Sequence, residues 1–65
     1  MLRYSVRITH IHDGLPISFA CFKTINQLVK YCDTFDITQV VFDAYDDVFG
    51  KSIDIDELLE IWRSN

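Results

Sequence analysis

Few side chains in this 65-residue sequence could carry chemistry: His10, His12 and Asp13 in one short stretch, Cys21 and Cys32, the arginines Arg3 and Arg7, and a run of carboxylates in the second half. His10-Ile11-His12-Asp13 has the look of a zinc-binding segment, because residues two apart on a strand share a face and a carboxylate follows the two imidazoles. The sequence contains no other histidine to complete such a site. Two partly exposed histidines beside a turn are therefore expected, and no metal is assigned.

Cys21 and Cys32 are both expected to point inward, which makes a disulfide geometrically feasible. Free cysteine packs well as a small hydrophobe, however, so core filling is the preferred reading. No base stands near either thiol in the sequence pattern, which argues against nucleophilic catalysis. The stretch from Asp43 to Asp54 shares only its composition with a calcium loop: Tyr45 stands at the third position, where an acceptor is needed, and Gly50 comes at the eighth instead of the sixth. A glycine-rich phosphate loop, G-x-S-x-G and C-x-x-C are all missing, and no credible acid/base pair replaces them. The expectation is a protein that is not an enzyme and needs no cofactor.

Charge is distributed unevenly. Up to residue 32, Arg3, Arg7, Lys23 and Lys30 outnumber the lone Asp13, for a net +3; beyond it nine acids face only Lys51 and Arg63, for a net −7. With a net charge of −4 the chain should be a poor general binder of nucleic acid. The candidate acidic surface is Asp46, Asp47, Asp54, Asp56, Glu57 and Glu60. It would engage a basic groove on another protein or, with carboxylates spaced like phosphates, act as a DNA mimic that occupies a DNA-binding site.

The elements that must position these groups follow from periodicity. Leu2 to Ile11 alternates, with Leu2, Tyr4, Val6, Ile8 and His10 on one side and Arg3, Ser5, Arg7 and Thr9 on the other, which is the pattern of a half-buried strand. Asp13-Gly14 signals a two-residue hairpin loop, with Ile17 to Lys23 returning so that Ile8 faces Phe19 and Ser5 faces Phe22. Pro16 fits only if that second strand lies at the sheet edge.

Thr24-Ile25-Asn26-Gln27 matches a capping box, and Ile25, Leu28, Val29 and Cys32 follow at helical spacing, with Phe35 closing the same face. Gln39 to Tyr45 is the third strand. A solvent-facing Asp43 there sends Val40, Phe42 and Ala44 inward and leaves Val41 and Tyr45 outward. Asp46 to Gly50 reads as a turn or loop, with Lys51 to Ile53 a candidate extended stretch. In that loop Val48 and Phe49 would either anchor in a partner's pocket or lie over the core. Asp54 then caps a last helix, in which Ile55, Leu58, Leu59 and Trp62 repeat the helical spacing and Arg63 suits the C-terminal end of the dipole.

The predicted order is thus β-β-α-β-α in one small α+β domain over residues 1–65: a three-stranded sheet, order 2-1-3, with both helices on one face. Size alone keeps the chain to a single core. No apolar run approaches the ~20 residues of a membrane span and no signal peptide is visible, so a cytoplasmic protein with reduced thiols is expected.

The other face of the sheet is left open. It is expected to collect Arg3, Ser5, Arg7 and Thr9, with Ser18, Ala20 and Phe22 from one side and Val41, Asp43 and Tyr45 from the other. Arg3, Arg7, Phe22, Val41 and Tyr45 are the candidate contact residues. Such a face could be solvated, could bind protein or a second copy of the chain as a homodimer, or could stack weakly on single-stranded nucleic acid. Binding to another protein of unknown identity is the leading expectation, in a small accessory or regulatory role of the kind found in bacteria and phages.

Overall fold

The computed structural model describes residues 2–64, which form β1 (Tyr4–His10), β2 (Pro16–Phe22), α1 (Ile25–Cys32), β3 (Val40–Asp46), β4 (Lys51–Ile53) and α2 (Ile55–Ser64). The sheet is antiparallel and has four strands in the order β2-β1-β3-β4, one more than the periodicity of the sequence predicts. The 2-1-3 core of the expected order stands. The addition is Lys51–Ile53, which pairs with Ala44–Asp46.

A tight turn produces that fourth strand. The Asp46 Oδ1 accepts hydrogen bonds from the Val48 N–H at 3.1 Å and the Phe49 N–H at 3.4 Å, and the Gly50 N–H donates to the Asp46 carbonyl at 2.7 Å. Gly50 adopts φ +65°, a region that L side chains rarely enter, and so reverses the chain.

Both helices cover one face, through a core in which Val6 and Ile8 of β1 and Val40 and Ala44 of β3 meet Leu28, Val29 and Cys32 of α1 and Ile55 and Leu59 of α2. The caps form as the sequence indicates. The Thr24 side chain accepts from the Gln27 N–H at 3.2 Å while the Gln27 side chain accepts from the Thr24 N–H at 3.3 Å, and Asp54 accepts from the Glu57 N–H at 3.1 Å.

The β1–β2 register differs from the expected one, and two events explain the difference. First, the hairpin loop has four residues, Ile11 to Gly14: the His10 N–H donates to the Leu15 carbonyl, the Gly14 N–H donates to the His10 carbonyl, and Gly14 has φ +69°. Two extra loop residues shift the pairing by two and leave every side chain on its expected face.

Second, Thr9 pairs with Pro16 but Ile8 pairs with Ser18, so Ile17 is an inserted bulge residue. That single-residue shift turns the rest of β2 over. Ser18 and Phe22 now lie on the helix side, with the Ser18 and Tyr31 hydroxyls 2.5 Å apart and the Phe22 and Tyr31 rings 5.3 Å apart.

The open-face positions assigned to Ser18, Ala20 and Phe22 are therefore corrected. Phe19 and Cys21 stand there instead, paired across to Arg7 and Ser5. Cys21 consequently does not face Cys32; both thiols are free, Cys32 fully buried and Cys21 half-buried.

Candidate interaction surface

The uncovered sheet face is ordered in rows by the strand register. One row runs Phe19, Arg7, Asp43 across β2, β1 and β3; the row beside it runs Cys21, Ser5, Tyr45, Ser52; Thr9 and Val41 pair on the other side. Phe19 is 65% exposed, Tyr45 49% and Val41 43%. These large apolar side chains lie on the face that α1 and α2 leave uncovered. Together with Ser5, Arg7 and Asp43, Phe19 and Tyr45 line a shallow depression of about 380 Å³.

Arg7 and Asp43 are direct cross-strand partners, and both are exposed. Among the described residues neither makes an ion pair; the two salt bridges present join Arg3 to Asp46 and Arg63 to Asp33. Arg7 and Asp43 thus offer adjacent, opposite and uncommitted charges at the middle of the face.

Arg3, placed by its alternation beside Arg7, is committed elsewhere. Its Nη2 donates to the Asp46 Oδ2 at 2.9 Å and its Nε reaches both carboxylate oxygens at 3.2 and 3.3 Å. The guanidinium also lies 5.0 Å from the centre of the Phe49 ring and 5.1 Å from that of Tyr4. The hydrogen bond to Arg3 is the main reason the Asp46 carboxyl sits below its ordinary range, and Arg3 in turn is raised. The backbone joins the same corner: the Asp47 N–H donates to the Arg3 carbonyl at 2.8 Å, and the Ser5 hydroxyl donates to the Asp47 carboxylate at 3.2 Å. Arg3 therefore holds the β3–β4 turn against the start of β1.

Of the five residues predicted for the open face, Arg7, Val41 and Tyr45 share it. Arg3 has turned to Asp46, and Phe22 lies under α1. Phe19 is the exposed aromatic residue of the open face that sequence reasoning did not place there. The signal was present: Phe19 and Phe22 have opposite strand parity, so one of them had to face outward, and only the bulge decides which.

Asp46 is half-buried in its ion pair and Asp54 caps α2, while Asp56, Glu57 and Glu60 are exposed on that helix and Asp47 opens the turn after β3. Among the described residues no group of three or more His, Cys, Asp or Glu side chains is arranged to hold a metal ion. Also among them, no helix is long and apolar enough to cross a membrane.

A second concavity, of about 620 Å³, lies between β2 and α1 and is lined by Leu2, Phe22, Tyr31, Lys23 and Lys30 among others. No family model, curated protein or solved structure matches this chain.

Proposed function

We propose that the chain is a small accessory or regulatory module that acts by binding protein through its open sheet face and carries no catalytic activity of its own. One observation carries this reading. Phe19, Val41 and Tyr45 are exposed together on the face the helices leave bare, around the uncommitted Arg7 and Asp43. An apolar patch broken by a few charges, with aromatic rings and an arginine, is the composition found at protein interfaces.

The arrangement lends less support to stacking on single-stranded nucleic acid, because Arg3 and Phe22, two of the groups that reading needs, are engaged within the fold. The exposed Asp56, Glu57 and Glu60 of α2 leave that helix as a second, acidic contact surface, and the DNA-mimic alternative would rest on it.

The test is photo-crosslinking in a lysate of the native host, with the crosslinker at position 19 and nuclease present. A discrete protein, or a second copy of the chain, joined at position 19 and lost with Arg7→Glu is the expected result. Crosslinks to nucleic acid alone, or none at position 19 while a probe at Glu60 captures a DNA-binding protein, would overturn it.

A further inference from the structure

Resting on the reading of the sheet face as a protein contact, we infer that its occupant is a second copy of this chain, docked face to face about a twofold axis parallel to the strands and between β1 and β3. The charge pattern selects this arrangement. Arg7 and Asp43 are direct partners across the β1–β3 ladder, so a twofold axis between those strands brings Arg7 of each copy over Asp43 of the other. Two intermolecular ion pairs form from groups that make none among the described residues.

The same operation sets Tyr45 of one copy over Ser5 of the other and Val41 over Thr9, because these are the neighbouring pairs of the same ladder. Ser5 is small and lies in the depression, so it offers room for a ring. A twofold axis perpendicular to the strands would stack Arg7 on Arg7 and Asp43 on Asp43, which like-charge repulsion disfavours. Packing of two twisted sheets tolerates such a pairing within a rotation of about 30°.

Area fits a reversible association. Three strands of seven residues and one of three, about 4.8 Å apart and rising about 3.4 Å per residue, present roughly 390 Å² in projection. A pair then covers roughly 800 Å², below the ~1,000 Å² at which stable specific interfaces begin and in the range of weak, reversible contacts. The helices lie on the outside of such a dimer, so the acidic surface of α2 is displayed twice.

Sedimentation equilibrium on the purified full chain tests the inference with charge reversals. The wild-type chain is expected to dimerise in a concentration-dependent way. Arg7→Asp and Asp43→Arg, each made separately, should raise the dissociation constant at least tenfold, with circular dichroism unchanged because both positions are exposed. An equimolar mixture of the two variants should recover dimers, since one carries two negative and the other two positive charges at these positions. The chain carrying both changes should dimerise like the wild type.

A mixture that stays monomeric while the wild type dimerises would place the contact elsewhere, on the free β2 edge for example, and would overturn the inference. A wild-type chain that stays monomeric while position 19 crosslinks to a different protein would also overturn it, yet would leave the sheet face as a protein contact. Loss of both would remove the two together.

Discussion

The Phe22 ring lies 5.3 Å from the Tyr31 ring at an interplanar angle of 45°, and Tyr31 in turn meets Phe35, which meets Phe42. This line of rings runs from the edge strand β2 through α1 to β3. It uses Phe22 as packing and leaves Phe19, three residues earlier, at the open face.

The two phenylalanines should therefore respond differently to the same change. Phe22→Ser removes a half-buried ring and is expected to cost about 2–3 kcal/mol of stability, somewhat less than truncating a fully buried phenylalanine. Phe19→Ser should stay within about 0.5 kcal/mol, as exposed substitutions do, while weakening the sheet-face contact. Urea denaturation of both variants checks the bulge at Ile17; equal costs, or the reverse order, would contradict it.

Acid should weaken the corner where β1 meets the β3–β4 turn. The folded-state value of Asp46 is lowered, chiefly by its hydrogen bond from Arg3, so its contribution is fully present above the unfolded carboxyl value near 3.8. That contribution is lost as pH falls through the lower folded value. Asp36, lowered by its hydrogen bonds from Thr38, changes in the same direction. Arg3→Met should reduce the slope of stability against pH below 3.8 and leave the Asp36 part intact. Thermal melts between neutral and acid pH measure the difference.

Thiol reactivity should divide the two cysteines. Burial pushes the Cys32 thiol up to about 12, and its side chain is fully enclosed, whereas Cys21 is half-buried. In the native protein a disulfide reagent at mildly alkaline pH is expected to modify Cys21 and leave Cys32 untouched until denaturant is added. Simultaneous reaction of both would mean that the core opens readily.

Core truncation should be severe in a domain of this size. Leu28 of α1 is fully buried in the core between the sheet and the helices, and Leu28→Ala is expected to cost about 2–5 kcal/mol. A single small core supplies roughly 3–5 kcal/mol in all, so the variant should be largely unfolded at 25 °C by circular dichroism. Self-association through the sheet face would soften that loss as protein concentration rises.

Local rules were enough for much of the fold. Alternation located β1 and β3 and set the face of each, because the polar Arg7 and Asp43 favour water while Val6, Ile8, Val40 and Ala44 seek the core. Thr24 with Gln27 and Asp54 with Glu57 marked both helix starts, since capping is written in side chains three residues apart. The order β2-β1-β3 followed from the crossover through α1.

Tertiary structure decided what depends on the pairing of distant backbones. Apolar residues occupy both parities of β2, in Ile17, Phe19, Cys21 and Phe22, so its hydrophobic pattern is satisfied either way up; the bulge opposite Thr9 made the choice. Arg3 and Asp46 lie 43 residues apart, and no local pattern signals their ion pair. β4 is only three residues long and exists because the Asp46 turn returns it to the edge of β3. The sequence by itself determined which faces of β1 and β3 are apolar and where the helices begin. Which aromatic ring reaches the open face, and which arginine stays free there, depends on strand register and long-range pairing, and only the folded chain decides them.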